Sequence, residues 1–301
     1  MSGEMELSIC IPVYNQDVTS LVHELHRQAS RSSCVFEILL MDDGSTSFLE
    51  ENGALDALEG VRYVRLPQNV GRSAIRNKLA DEARYEYLLF MDCDVFPLDD
   101  SFLERYIRME GHDVVMGGYH YGGQPTSDKH ILRWKYGKER EERSAEERSV
   151  RPNDSFSTFN FMIRKALFER VRFDESLRGY GHEDTLFGLS LKREGISVTH
   201  IDNALSHLNY DTSDVFLRKS LNAVANLQVI CQRMGYAEDL AESIRILCCF
   251  KRIDRFGLST IFAKIYPLIR HRCEKRLLGK HPSLFIFDLY RLIYLCVCSR
   301  N

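Results

Sequence analysis

Two acidic pairs set the chemistry open to this chain. Asp92-Cys93-Asp94 puts carboxylates at i and i+2, just past an apolar run at residues 87–91. As the chain leaves a strand, both side chains can turn toward one ligand. A hard divalent cation with oxygen ligands, keeping positions open for phosphate oxygens, suits such a pair. Short acids after strands also form turns, so the pattern draws its meaning from its context. The second pair, Glu183-Asp184, follows Gly179 and Gly181 at the head of a helical pattern. Glycines allow close backbone approach to a substrate, and a helix N-terminus favours ionised acids. Such a group can take a proton from a hydroxyl, or simply cap its helix.

The elements that must position these groups alternate strand with helix. Residues 7–13, 35–41, 61–66 and 87–91 read as strands. Helical stretches fall near 48–58 and 72–84, and Val18, Leu21, Val22 and Leu25 share one helical face. This alternation predicts an α/β fold with a mainly parallel, Rossmann-like sheet covered on both faces. Ligands bind such sheets beyond the carboxyl ends of the strands. Those ends read Pro12-Val13-Tyr14-Asn15, Asp42-Asp43-Gly44-Ser45, Asn69 to Asn77, and Asp92-Cys93-Asp94. No G-x-G-x-x-G or G-x-x-x-x-G-K-[ST] loop follows a strand. Carboxylates stand where glycine-rich backbone would hold a diphosphate, which points to a metal ion as the phosphate clamp. Residues 119–154 interrupt the alternation with a glycine-rich start, the single Trp134 and a charged run at 138–151, the pattern of a lid or a solvated helix. Strand signals resume at 156–163 and 197–201, and helical ones dominate after Asp211.

Composition narrows the class. Of 301 residues, 44% are hydrophobic, 28% charged and only 7 are proline, which excludes a disordered or collagen-like chain. Nine cysteines without a C-x-x-C pair fit neither a disulfide framework nor a zinc ribbon. With Glu4 and Glu6 ahead of the first strand, no signal peptide is expected. The expected location is the reducing cytoplasm, peripheral on the membrane's cytoplasmic face if the tail binds lipid. The formal net charge of −3 conceals an asymmetry: from Arg245 onward, 12 Lys/Arg face three acids. A basic tail on an acidic body predicts an anionic partner or a solvated helical face.

The ordered clusters from Ile11 to Asn15, Asp42 to Ser45, Gly71 to Asn77 and Asp92 to Asp94 resemble the successive motifs of family 2 glycosyltransferases of the A-type fold. Phe159-Asn160-Phe161 and Gly179-Tyr180-Gly181-His182-Glu183-Asp184 resemble the acceptor-side signature of these enzymes and of related galactosyltransferases. The likeness runs from Met5 to about Leu208. It implies an inverting enzyme that transfers a sugar from a nucleotide-sugar donor, UDP-linked by expectation, with Mn²⁺ or Mg²⁺ on the diphosphate. It implies Asp43, with Pro12 and Tyr14, at the base-binding slot; Asp42 could as easily be a turn-capping residue, so Asp43 is favoured for the ligand. Arg76 and Asn77 match a pair placed near the nucleotide sugar, and Arg76 could equally brace Asp43 or Asp92. Asp94 and Asp92 would hold the metal together with His207, which fits a late family histidine better than His200 among its apolar neighbours. Asp184 would be the general base and Glu183 its acceptor-binding neighbour, the assignment between them being open.

These readings predict a catalytic domain over residues 1–211 and a basic helical extension over 212–301. The run at 284–298 holds fifteen residues with two charges, Asp288 and Arg291, too short to span a bilayer. It is expected to lie in a membrane interface or pack as a core helix. Behind it stand Arg270, Arg272, Lys275, Arg276 and Lys280, suited to anionic headgroups and hence to a lipid-linked saccharide acceptor. Cell-surface polysaccharide or glycoconjugate synthesis would use such an enzyme. Two rival readings are a nucleotidyltransferase and a catalytically silent carbohydrate-binding or membrane-scaffold protein of the same fold. Nucleic acid is not an expected partner, since no aromatic-interleaved basic surface accompanies the tail.

Overall fold

The computed structural model describes residues 4–176, 180–234 and 238–300. Gly179 lies outside them. In chain order, β1 (Glu6–Val13), α1 (Thr19–Ala29), β2 (Val35–Asp42), α2 (Leu49–Gly53), β3 (Val61–Arg65), α3 (Arg72–Glu82) and β4 (Tyr87–Met91) alternate as the apolar pattern predicts. Next come β5 (Val95–Pro97), α4 (Phe102–Ile107), β6 (Val114–Met116), β7 (Tyr119–His120), α5 (Ile131–Tyr136) and α6 (Ala145–Ser149), with one π-helical stretch at Gly137–Glu141. Then follow β8 (Asn160–Arg164), α7 (Lys165–Val171), α8 (Glu183–Arg193), β9 (Thr199–His200) and β10 (Leu205–His207). The remainder is helical: α9 (Ser213–Met234), α10 (Glu238–Ser243), α11 (Arg245–Arg255), α12 (Ser259–Leu277) and α13 (Leu284–Cys298).

The chain divides into two compact units. The first comprises Met1–His120, Glu142–Ser176 and Leu186–Asn209; the second comprises Tyr121–Glu141, Leu177–Thr185 and Tyr210–Asn301. The helical unit therefore includes two segments from within the strand-rich part of the sequence. No periodicity could have announced that, because it rests on contacts between distant stretches.

The first unit is an α/β sheet of order β3-β2-β1-β4-β8-β6-β9. Its first four strands are parallel, whereas β8 runs antiparallel to both β4 and β6. β8 enters beside the end at which β4 leaves, Met91 pairing with Asn160, so the direction must reverse. Side chains alternate across the sheet with period two. Leu7, Ile9, Ile11 and Val13 pack with Leu21, Val22, Leu25, Phe102 and Tyr106 on one face. Cys10, Leu39, Met41 and Phe90 pack with Ile75, Leu79, Phe168, Phe187 and Leu191 on the other. A second sheet, β5-β10-β7, has strands of only two or three residues, too short to show a period in the sequence.

In the helical unit, the fifteen-residue apolar run of α13 proves to be a core helix on one side. Leu284, Phe287 and Tyr290 are buried against Leu132, Phe216, Leu217 and Leu277. The Tyr290 hydroxyl donates to Glu274 Oε1 at 2.8 Å. Among the described residues no helix is long and apolar enough to cross a membrane.

Candidate active site

The carboxyl ends of β2, β1 and β4 stand side by side in the sheet, and the polar clusters follow from them. Near the end of β1, half-buried Pro12 stands level with Met41 of β2, and the strand leads to Tyr14, 53% exposed. Asn15 then adopts φ 50°, a left-handed turn that asparagine tolerates. Its Oδ1 accepts from the amides of Thr46 (2.8 Å) and Ser47 (3.2 Å), which ties the β1 loop to the β2 loop.

Asp42 and Asp43 divide the work at the end of β2. Asp42 is fully buried; it accepts from the Ser45 amide at 2.7 Å and the Tyr63 hydroxyl at 2.8 Å. It holds the turn. Asp43 accepts from the amides of Val70 (2.7 Å) and Gly71 (3.2 Å), clamping the lead-in to α3. Burial raises its carboxyl above the ordinary value, and those two amides oppose the rise. Each of its oxygens retains a further lone pair for a donor.

From α3, Arg76 reaches Asp92. Its Nη2 donates to Asp92 Oδ1 at 2.6 Å and its Nη1 to the Arg72 carbonyl at 3.2 Å, with the guanidinium near the Phe173 ring. Asn77 differs from expectation. It is buried, donates to Phe173 O and Glu175 Oε1, and accepts from the Phe173 amide. Its amide is consumed in holding the strand of chain after α7, so it faces no ligand.

Asp92, Asp94 and His207 come together, although the histidine lies far along the chain. β10 pairs antiparallel with β5, setting His207 opposite Val95, and the Leu208 amide donates to the Asp94 carbonyl at 2.9 Å. His207 Nε2 then stands 3.8 Å from Asp94 Oδ2, its ring stacked on Phe159 at 5.6 Å between centroids. Burial pushes the Asp92 carboxyl up; Arg76 pulls it back and Asp94 adds to the rise. Among the described residues no group of three or more His, Cys, Asp or Glu forms a ready metal cage. The donor set nonetheless fits a divalent ion of the Mg²⁺ or Mn²⁺ kind. Such ions are held by one or two carboxylates plus substrate phosphates, not by all-protein cages, and imidazole suits transition metals.

Sequence reasoning missed the supports of this cluster. Asn160 is fully buried; its Oδ1 accepts from Tyr106 at 2.6 Å, and its Nδ2 donates to Asn203 O at 2.8 Å. Asn203 in turn donates to Phe102 O, anchoring the loop that delivers β10. Phe159 and Asn160 thus lie beside Asp92 and His207. His200 is structural: Nδ1 accepts from Arg148 Nη1 and Nε2 donates to Pro152 O, both at 2.9 Å. Burial lowers its pKa to about 4. The one available signal for these supports was polar residues among apolar ones, which marks burial without naming a partner.

Glu183 and Asp184 belong to the helical unit. Glu183 Oε2 accepts from the Gly181 amide at 3.0 Å, a local bond at the head of α8. Gly181, at φ 103°, does not leave room for a substrate. A Cβ there would meet the Ala223 Cβ at 2.5 Å, so its bareness lets the segment press onto α9. Tyr180 O accepts from Asn226 Nδ2 at 3.1 Å, and Lys219 Nζ stands over the Tyr180 ring. His182, left-handed at φ 73°, has its pKa lowered to about 4 by burial, with Arg291 of α13 adding to the drop. The segment at 180–184 is thus built on the C-terminal helices.

Comparison with known proteins bears on the family and the fold. Chondroitin synthase of Escherichia coli is 25% identical over 236 residues, 67% of this chain and 34% of that protein. The chain spans between 34% and 63% of the length of three curated relatives that it matches. Among solved structures, the mannosyltransferase PcManGT of Pyrobaculum calidifontis, with GDP-Man and Mn²⁺, superposes with a TM-score of 0.58 at 11% identity. That match covers 99% of this chain and 88% of that one. TarS 1–349 of S. aureus, in complex with UDP, gives 0.51 at 18% identity over 96% of this chain and 90% of that one. At such identities these likenesses speak for the fold alone. The sequence pattern of glycosyl transferase family 2 matches residues 8–172, over half the chain and the carboxyl ends of β1, β2 and β4, and the chain belongs to that family.

Proposed function

We propose that the chain transfers a hexose from a UDP-linked donor to a hydroxyl of a saccharide, free or lipid-linked, by metal-dependent single displacement with inversion. The observation that carries this reading is the convergence of Asp92, Asp94 and His207 at the end of β4, beside the loop clamped by Asp43. That PcManGT holds GDP-Man with Mn²⁺ and TarS holds UDP supports a nucleotide-sugar donor and a divalent ion. The likeness to chondroitin synthase supports a saccharide acceptor in polysaccharide synthesis.

Each group then has one task. Asp94, Asp92 and His207 would hold the ion, which when bound would supply positive charge to neutralise the departing diphosphate. Arg76 fixes the Asp92 carboxylate through Oδ1. Asp43 accepts an N–H of the donor base, with Pro12 and Tyr14 lining the slot. Asp184 takes the proton of the acceptor hydroxyl as its oxygen attacks the anomeric carbon. The carbon–oxygen bond to the diphosphate breaks from the opposite side, so the configuration inverts. Glu183, bonded to the Gly181 amide, shapes the head of α8 and contacts the acceptor.

A nucleotide-sugar screen by thermal unfolding, with and without Mn²⁺, tests this reading. A ligand at 100 times its dissociation constant adds ~2.7 kcal/mol of stability. The expected result is a metal-dependent rise with one UDP-sugar. A rise with a GDP-sugar alone replaces the donor base, and no rise with any nucleotide sugar overturns the proposal. NMR of the product's anomeric centre checks inversion.

A further inference from the structure

α12 carries an exposed face that the active site does not use. At 100° per residue, Ile261, Lys264, Leu268, Arg272 and Lys275 fall within one arc of the helix, and all are exposed. Phe256, just before the helix, is 76% exposed, Ile261 54% and Leu268 77%. Among the described residues none of Lys264, Arg272 or Lys275 pairs with an acid. The cation that does pair, Arg270 with Glu274 at 2.9 Å, lies on another side of the helix. α13, the obvious apolar helix in the sequence, turns Leu284, Phe287 and Tyr290 into the core and leaves this role to its neighbour.

Bare apolar side chains alternating with unpaired cations suit one kind of partner. Water disfavours exposed Phe, Ile and Leu, and an anionic surface favours Lys and Arg. The headgroup boundary of an anionic bilayer satisfies both at once. A nucleic acid would satisfy the cations alone and leave Ile261 and Leu268 unmatched. We propose that α12 and the turn before it lie in the interface of an anionic lipid bilayer, apolar side chains inserted and cations among the headgroups. The helix lies on the membrane and does not span it. This surface is independent of donor binding.

Flotation of the full chain with phosphatidylcholine vesicles containing 30% phosphatidylglycerol tests it, against vesicles of phosphatidylcholine alone. The expected result is flotation with the anionic vesicles at low salt, lost at high salt and absent with neutral ones. Lys264→Gln should weaken partitioning about five-fold, the scale of one charge near such a surface. Leu268→Ser should weaken it as well at low salt, by removing inserted apolar surface and leaving the charge unchanged. Both sites are exposed, so the nucleotide-induced thermal shift of each variant should match the parent and show that the fold is intact. Full chain remaining unbound to anionic vesicles overturns the proposal, as does flotation indifferent to both substitutions. Retention on single-stranded RNA without flotation overturns it in favour of nucleic acid. A dimer lost on Leu268→Ser, again without flotation, overturns it in favour of a second copy of this chain.

Discussion

At the scale of single residues, the proposed roles separate groups that would touch ligands from groups that hold other groups. Asp94→Ala should abolish metal-dependent UDP binding in calorimetry while leaving the melting temperature nearly unchanged, since the side chain is partly exposed. His207→Ala should weaken the same binding less, because water can replace a neutral nitrogen. Unchanged binding in Asp94→Ala would remove the metal role. Asp184→Asn should lower turnover by a factor of ~10²–10⁴ with donor affinity unchanged, since an amide keeps the shape and loses the basicity. Near-normal turnover in that variant, together with collapse in Glu183→Gln, would move the base to Glu183. The placement of the acids at the strand ends was legible because they follow clear apolar runs in an ordered series of motifs, although an acid after a strand can also simply hold a turn, as Asp42 does. Asn77 was not legible. An asparagine beside Arg76 reads the same whether it faces a ligand or, as found, secures Phe173 and Glu175.

At the scale of elements, the first four strands and α3 were readable to within a residue or two, and α1 by its apolar face, since long runs carry a clear period. The small β5-β10-β7 sheet was not, although it alone brings His207 to Asp94. Two-residue strands have no period, and their pairing is decided by loops such as the one fixed by Asn160 and Asn203. The apolar run at α13 was legible as a helix, while its partner was not, because burial against Phe216 and Leu277 is a long-range fact. Removing residues 284–301 should therefore unfold the helical unit, seen as lost helical circular dichroism beyond the deleted segment. Gly181→Ala is a finer test of the same packing. The Cβ would strike Ala223 at an unfavourable φ, so stability in urea should fall by about 1–3 kcal/mol. Nucleotide affinity should persist in that variant while turnover drops; an unchanged urea midpoint would contradict the contact.

At the scale of the whole molecule, buried histidines set an acid limit. His200 has its pKa lowered to about 4 in the folded chain from an ordinary 6.5. Above pH 6.5 both states leave it neutral and it contributes nothing. Between 6.5 and about 4 the unfolded chain takes a proton that the folded chain refuses, so stability falls with pH by up to ~3 kcal/mol and then levels. Urea melts at pH 7 and pH 5 should show His200→Gln losing less on acidification than the parent. An equal loss would place the acid sensitivity elsewhere. The pairing of β10 with β5 has a consequence for how the protein is made. Asp94 and His207 leave the ribosome roughly 110 residues apart, about 6–20 s at usual elongation rates. For that interval a nascent chain carries its acidic pair without its histidine. Chains halted before residue 205 should therefore bind nucleotide somewhat more weakly than the full chain, as expected for His207→Ala, even with their first sheet formed, so full affinity would arrive late in biogenesis.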